Sequence, residues 1–348
     1  MKTGTPIADL AQRILAESKS KRDFVADTRK LRLEEDGTFT VGDLGRSYKP
    51  TKLCLEQVAG RTGIPAKYAE RMRTEAPLLL SRNVNHWFDA NPEKRMVRTL
   101  DNGSKVARAF LSERYRPLDN YDLANVILPK IAAVGCTVKS CEMTERRFYI
   151  QAVTERITGE VKKGDVVQAG IVITNSEVGC GAIKIEPLIY RLACLNGMIS
   201  ASSLRRNHVG RSGEGNIGGD DESFEMFSDK TRQLDDKAFW AKVCDVTDAS
   251  LSQIKFDEQL VKMRLAADKQ IGNPVDAVEV VTRKLELTDG ESKSVLTHLA
   301  SGSDLSLWGL ANAVTRAAED VESYDRAIEL ERAGSYVLEL KPSDFSLN

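Results

Sequence analysis

Four strand-like segments follow one another between residues 137 and 190, and this succession narrows the folds open to the chain. The segments are Thr137–Met143, Arg147–Val153, Val166–Thr174 and Ala182–Tyr190. Since consecutive strands favour antiparallel pairing, they predict a largely antiparallel central sheet, with a longer connection at 154–165. A helix is predicted before them at 119–133, and long helices after them. The predicted fold class is therefore α+β, with flanking helices and a helical C-terminal region.

The sequence divides into three regions by pattern and charge. Residues 1–81 are predicted to be an N-terminal region of helices and hairpins, and residues 82–211 an α+β core that carries the basic segments. Residues 212–348 are predicted to be mostly helical, and within them residues 214–258 hold twelve acidic side chains against five basic ones. This acidic region is not expected to bind a polyanion. Gly334 is expected to end the last helix, and the tail after it to add an edge strand.

The overall composition excludes several classes of protein. The chain has 50 Lys and Arg residues against 51 Asp and Glu residues, a formal net charge of −1, which rules out a uniformly basic surface but not a local basic patch. No window approaches ~18 consecutive apolar residues, so no membrane span is predicted. The start of the chain lacks the apolar core of a signal peptide, and a cytoplasmic location is expected.

The six cysteines and three histidines are spread along the chain. None of the cysteines forms a C-x-x-C pair, and a zinc site normally needs closely spaced Cys and His ligands. The cysteines are therefore expected to be reduced, buried thiols, and neither a metal nor a cofactor is predicted.

Two short helices around the turn Thr62-Gly63-Ile64-Pro65 leave two interpretations open. A pair of helices joined by a short Gly-containing turn is typical of the helix-turn-helix of DNA-binding proteins. The second helix carries three cations: Lys67, Arg71 and Arg73. The same pattern fits an ordinary helical hairpin that covers the core, and this interpretation is favoured because Glu70 and Glu75 dilute the positive charge.

Residues 82–116 form a locally basic segment, with eight Lys and Arg residues against four acids. Asp101-Asn102-Gly103 lies between two strand-like runs and predicts a hairpin. The strand before the turn carries Arg98, and the strand after it carries Arg108. Two arginines are therefore expected close together on one sheet.

Aromatic side chains accompany these arginines. His86, Trp87 and Phe88 lie just upstream in the predicted strands, and alternation puts Arg108 on the face of Phe110. Aromatic and arginine side chains together on a sheet make a stacking surface for unpaired bases. Alternatively, Trp87 and Phe88 belong to the core and the arginines are solvated.

A second basic segment follows the last predicted strand. That strand carries Lys184 and runs into Arg191. The chain then presents four more basic side chains without an acid among them: Arg205, Arg206, His208 and Arg211. Arginine stays charged and binds phosphate in a bidentate manner, so this segment predicts a phosphate-binding site. Alternatively, it is an exposed basic loop paired with nearby acids.

Two other patterns bear on catalysis. Asp220, Asp221 and Glu222 follow a Gly-rich run and could hold Mg²⁺, since hard cations prefer carboxylate oxygens. Cys194 and His208 could form a thiolate–imidazole pair. Contiguous acids in a Gly-rich loop are usually solvated charge, and a cysteine near a loop histidine is usually a buried thiol. No catalytic residue is therefore assigned, and enzymatic activity is not favoured.

Two motifs resemble those of the DUF932 family of phage and plasmid proteins. The first is Gly179-Cys180-Gly181, followed after a strand by Tyr190-Arg191-Leu-Ala-Cys194-Leu-Asn196-Gly197. The second is the run from Trp308 to Thr315, which reads Trp-Gly-Leu-Ala-Asn-Ala-Val-Thr. The resemblance implies a mobile-element context. It carries over no catalytic residues, because the family is named for having no assigned function.

The combination of strands, basic hairpin and phosphate-suited loop is also similar in architecture to single-strand annealing proteins of the Rad52 type, which implies homo-oligomeric rings with DNA in a basic groove. The predicted function is nucleic-acid binding without catalysis, with single-stranded DNA bound or annealed in recombination or replication. The residues predicted to bind it are Trp87, Phe88, Arg98, Arg108, Lys184, Arg191, Arg205, Arg206, His208 and Arg211. Two alternatives stay open: a metal-dependent enzyme acting on nucleic acid or nucleotides, and a host-interaction protein without DNA affinity.

Overall fold

The first of two sheets uses strands from the N-terminal part of the chain. The computed structural model describes residues 1–42, 45–200, 204–206, 229–341 and 344. The strands of this sheet are β1 (Phe24–Asp27), β2 (Leu31–Leu33), β3 (Phe39–Val41), β4 (Arg46–Pro50), β5 (Lys94–Asp101) and β6 (Lys105–Ser112), in the spatial order β1-β5-β6-β4-β3-β2. They pair antiparallel, except that β4 pairs with β6 in parallel. The predicted hairpin is confirmed, since Asp101 pairs with Lys105 across the turn.

Three helices pack on this sheet: α2 (Lys52–Arg61), α3 (Ala66–Glu75) and α4 (Pro77–Ala90). They share one apolar cluster with the strands. The prediction of strands around His86–Phe88 is wrong, because these residues lie in α4. α4 begins with Pro77, a residue suited to the first turn of a helix, and Leu80, Val84 and Phe88 recur every four residues on its buried side. Because this spacing is helical, one face of the segment joins the core.

The second sheet is an antiparallel meander that follows a helix numbered α5 here (Asn120–Ala133), as the sequence predicts. Its strands are β7 (Cys136–Met143), β8 (Phe148–Glu160), β9 (Val166–Asn175), β10 (Ile183–Arg191), β11 (Asn196–Ile199) and β12 (Leu204–Arg206). Their order is β11-β10-β9-β8-β7, with β12 also paired to β10. The α+β class and the mostly antiparallel pairing are confirmed, and the one central sheet that we expected is two sheets.

β8 is longer than the sequence pattern indicates. The connection predicted at 154–165 is wrong, because β8 continues to Glu160. The register against β9 shifts between Val153 and Thr158, after which the two strands pair again. Such an irregularity interrupts the alternation of side chains, so the continuation of the strand is hidden in the sequence.

Helices cover both faces of the second sheet. They are α1 (Ile7–Ser20), α6 (Asp229–Ser250), α7 (Gln253–Asp268), α8 (Pro274–Leu285), α9 (Asp289–Gly302), α10 (Leu307–Ala317) and α11 (Tyr324–Val337). One apolar cluster joins α1, α5 and α6 to the strands, and another joins α11 to the opposite face. With both faces covered, β9 is buried at every residue from Val167 to Asn175 instead of at alternate residues.

The end of α11 differs from the prediction. The helix continues to Val337, so Gly334 does not end it, and 335–337 are helical, where a strand was expected. A Cβ at Gly334 would lie 2.2 Å from Cγ2 of Thr315 on α10. This glycine therefore allows two helices to approach closely.

The predicted regions can be located on this fold. Residue 81 lies inside α4, and the first sheet takes strands from both sides of it; the division into three regions stays a prediction. Across the described ranges, no helix combines the length and the apolar character that crossing a membrane requires.

Candidate nucleic-acid interface

Arg98 lies fully buried where the two sheets meet. Its guanidinium donates to Asp23 Oδ2 at 2.8 Å, to Asp119 Oδ1 at 2.8 Å and to the carbonyl of Glu177 at 2.7 Å. Burial works against the charged carboxylate, yet the attraction of Arg98 and Lys21 holds the pKa of Asp119 below its usual value. Arg98 was predicted to contact DNA, but its guanidinium donates to acceptors inside the protein.

Arg108 is held in the same junction. Its two terminal nitrogens reach Glu17 Oε2 at 3.2 Å and Glu177 Oε2 at 2.8 Å. The other oxygen of Glu177 accepts the backbone N–H of Asn120 at 2.6 Å. Arg108 and Arg98 both depend on Glu177, which makes this residue the centre of the contact between the sheets.

A β-bulge sets the direction of Arg108. The register between β5 and β6 shifts beside Arg98, and Arg108 is the extra residue on β6. Phe110 joins the apolar cluster of the first sheet, whereas Arg108 lines a pocket together with Val106. The prediction that Arg108 and Phe110 share a face is therefore wrong.

The pocket at this junction has a volume of about 270 Å³ and contains both signs of charge. Its charged lining residues are Arg13, Arg108, Arg146, Arg147, Glu17, Glu145 and Glu177. The guanidinium groups already have protein acceptors: Arg146 pairs with Glu56, and Arg147 donates to the carbonyl of Cys180. This balance makes the pocket a cross-link between the sheets and a poor site for a polyanion.

The two predicted aromatic residues are separated by burial. Phe88 is 2% exposed and stacks on Phe110 with ring centroids 5.7 Å apart. It lies in the core and presents no free ring face. Trp87, the next residue back on α4, is 40% exposed and has the His86 ring at its edge. Of the pair, Trp87 alone is accessible to a base.

Arg191 is fixed by a carboxylate and an indole. Nε and Nη2 donate to the two oxygens of Asp165 at 2.6 and 3.0 Å, and the Trp308 Nε1–H donates to the same carboxylate at 2.8 Å. The guanidinium carbon lies 5.8 Å from the centroid of the Trp308 ring, within the range of a cation–π contact. The geometry gives Arg191 a structural role at the end of β10.

The two motifs singled out in the sequence meet in the structure. Beside the Arg191–Trp308 contact, the Asn196 amide donates to Thr315 Oγ1 at 2.6 Å and to Asn312 Oδ1 at 3.2 Å. A Cβ at Gly309 would lie 1.8 Å from the Asp304 carbonyl, so only glycine fits there. The two motifs therefore form one buried contact between the edge of the second sheet and α10.

The basic segment after β11 is described only at β12. Its register on β10 puts Arg205 opposite Lys184, and Arg206 opposite Ile183. Lys184 is half-buried. The pairing of β12 with β10 therefore brings Arg205 and Arg206 next to Lys184. Their positions in the sequence alone do not require them to lie together.

Several predicted residues lie outside the described residues. His208 and Arg211 are among them, and so is the acidic trio at 220–222. The Cys194–His208 pair is therefore not described; the Cys194 sulfur lies 3.4 Å from Nη1 of Arg191. Within the described ranges, no three His, Cys, Asp or Glu side chains are grouped as metal ligands would be.

Glu177 and Glu331 are buried acids that the sequence analysis missed. Glu177 lies in a segment that reads as a simple connection, and the signal that marks it is an isolated acid before an apolar residue and a Gly-Cys-Gly run. Glu331 on α11 is fully buried; the Gln151 amide donates to its Oε2, and its Oε1 has no partner among the described residues. Burial raises the pKa of Glu331 to about 7.

Comparison with known proteins identifies a family for this chain. A family model described as a domain of unknown function (DUF932) matches residues 109–334. The comparisons with curated proteins and with solved structures found no match. The matched segment runs from β6 to α11 and includes the contact between the two motifs, whereas α1 to α4 lie outside it. It covers more than half of the 348 residues, and the chain therefore belongs to the DUF932 family.

Proposed function

We propose that the chain is a nucleic-acid-binding protein without enzymatic activity, and that it binds single-stranded DNA through the basic segment around β12. The observation that carries the proposal is the register that sets Arg205 opposite Lys184. The register collects three basic positions, Lys184, Arg205 and Arg206, at one edge of the second sheet. Lysine and arginine are the usual phosphate ligands of proteins, so this edge is where we propose that a polyanion binds.

The ion pairs of the other arginines narrow the proposed surface. Arg98, Arg108 and Arg191 already bind internal carboxylates, and removing them from their partners would leave buried charge uncompensated. We therefore exclude these three from the DNA contact. The phosphate ligands that we propose are Lys184, Arg205, Arg206, His208 and Arg211.

Main-chain groups add donors to the same edge. Among the described residues, β12 pairs with β10 and has no strand on its other side. An edge strand presents unpaired N–H groups, and backbone N–H groups are regular phosphate ligands. Single strands bind by phosphate contacts together with base stacking, and the exposed Trp87 is the aromatic side chain that we propose for stacking.

The test is fluorescence-anisotropy binding to a labelled single strand between about 50 and 200 mM salt, with the triple variant Arg205→Ala/Arg206→Ala/Arg211→Ala. Loss of three phosphate contacts should flatten the dependence of log K on log salt by about 2, since each contact on a single strand contributes about 0.7. Trp87→Ala should weaken binding by about 1–3 kcal/mol if bases stack on it.

The matched control is Arg29→Ala/Arg156→Ala/Arg283→Ala, which removes three exposed arginines elsewhere and should leave the salt slope unchanged. The proposal is wrong if the wild-type chain does not bind single strands at low salt, or if the triple variant and the control behave alike. Light scattering on the same samples measures whether the chain forms the homo-oligomer expected from the Rad52-type likeness.

A further inference from the structure

A second polyanion-suited surface lies on the N-terminal layer, outside the family segment. α2 and α3 are joined by the turn at 62–65, in which Gly63 has a φ of 73°. This left-handed conformation favours glycine. The Ile64 N–H donates to the Ala59 carbonyl at 2.9 Å and closes the turn. A short turn with a glycine between two short helices is the connection found in the helix-turn-helix motif.

α3 has distinct inner and outer faces. Ala69 and Met72 are buried in the cluster of the first sheet. Lys67, Arg71 and Thr74 are all exposed, and their spacing of four and then three residues sets them in one line along the helix. The outer face of α3 therefore carries two cations and a hydroxyl in one row, with Glu70 and Glu75 on the same helix. The Thr74 hydroxyl donates to backbone carbonyls of α3 itself.

The charge of this hairpin suits an anionic partner. Residues 52–75 carry five Lys and Arg residues against three Glu residues. Lys67 has no ion-pair partner in the part of the chain that the structure describes. Arg71 reaches Glu75 at 2.8 Å, but the two side chains are 69% and 61% exposed. An ion pair this open contributes little to stability, so the guanidinium can exchange its partner for a phosphate.

We propose that α3 binds duplex DNA, by entering the major groove with Lys67, Arg71 and Thr74 facing the DNA. An α-helix with side chains is about 10–12 Å across, and the major groove is about 12 Å wide. Lysine and arginine side chains contact phosphates and guanine edges there, and threonine contacts phosphates or bases. This site is separate from the β12 edge and goes beyond the single-strand binding proposed above.

The experiment uses the full chain and a labelled duplex, alongside a labelled single strand of the same sequence. The test variant is Lys67→Ala/Arg71→Ala. The matched control is Lys262→Ala/Arg283→Ala, which also removes one exposed lysine and one exposed arginine in an i,i+4 pair. The test variant should bind the duplex at least about tenfold more weakly than the wild type, and the slope of log K against log salt should be smaller by about 2. Its affinity for the single strand should equal that of the wild type.

Each outcome separates this inference from the proposed function. Absence of duplex binding by the wild type, an unchanged duplex affinity of the test variant, or an equal loss on both DNA forms overturns the inference. The Arg205/Arg206/Arg211 variant should keep its duplex binding at α3, so single-strand binding can fail while the α3 site stands. Thermal unfolding of each variant checks that the exposed substitutions leave the fold intact.

Discussion

The junction between the sheets and the outer face of α3 use arginine in opposite circumstances. In the junction, Arg98 is 0% exposed and donates to two carboxylates and a carbonyl. On α3, Arg71 is 69% exposed and pairs with a neighbour one turn away. A guanidinium buried with its partners is costly to disturb, whereas an exposed one contributes little to stability and is available to a ligand.

The comparison separates two roles that the sequence presents as one. Both regions lie in basic stretches of the chain, and each was predicted or considered as a DNA contact. Because the arginine of the junction is buried, it stabilises the fold. Because the arginine of α3 is exposed, it is available to a partner. The variants below test that separation, beginning with the substitution of largest expected effect.

Arg98→Ala should lower the free energy of unfolding by about 3–5 kcal/mol, because it leaves Asp23 without its cation and Asp119 with Lys21 alone in a buried junction. Chemical denaturation followed by circular dichroism measures this change. A loss below about 1 kcal/mol would show that the junction tolerates an uncompensated charge, and would remove the contrast with α3.

Arg191→Ala should lower the free energy of unfolding by about 2–4 kcal/mol, since Asp165 loses its bidentate partner and Trp308 its cation–π contact. The salt slope of single-strand binding should not change, because we place this arginine in the buried contact of the two family motifs. A flatter salt slope in a variant with native stability would return Arg191 to the DNA surface.

Glu331 extends the comparison to a buried acid without a guanidinium partner. Burial raises its pKa from 4.5 to about 7, so the folded state binds the proton more tightly than the unfolded state does. The free energy of unfolding should therefore fall as the pH rises from about 4.5 to about 7, by up to about 3 kcal/mol, and stay low above that range.

Glu331→Gln should remove this fall, which makes the variant more stable than the wild type at about pH 8 and nearly equal to it at about pH 5. Urea denaturation at the two pH values measures the difference. Glu329→Gln, an exposed position on the same helix, is the control. Parallel pH profiles of wild type and Glu331→Gln would contradict the assignment.

Arg71→Ala should have the smallest effect on stability, within about 0.5 kcal/mol, because the side chain and its partner are open to solvent. Denaturation under the conditions used for Arg98→Ala gives the direct comparison. A loss of more than about 1 kcal/mol would mean that α3 needs this ion pair to fold, and would weaken the separation of roles.

The prediction of the fold succeeded where the pattern is local. The strands at 166–174 and 182–190 coincide closely with β9 and β10, because long apolar runs between turns leave few alternatives. It failed where a local irregularity changes the period, as in the bulges of β6 and β8. It also failed at 86–88, where an apolar spacing of four belongs to a helix.

The candidate site was less predictable than the fold. Arg98 and Arg205 carry the same signal, a cation in or beside a strand of a basic stretch, yet the first is fully buried. Arg98 is 75 residues from its partner Asp23 in the sequence, and 79 residues from Glu177, whose carbonyl it also contacts. No spacing rule connects positions so far apart, so the partner of each cation could not be inferred from its neighbours.

The sequence by itself determined the antiparallel meander, the hairpin at Asp101-Asn102-Gly103, the helical C-terminal region and the two motifs that mark the family. Apolar periodicity and turn residues act over a few positions, which is why these features are legible in one dimension. Only the tertiary structure decided which cations are buried and which remain open, because burial and ion pairing join residues from distant segments. The same reason makes Glu177 a structural centre and leaves Lys67 and Arg71 facing outward.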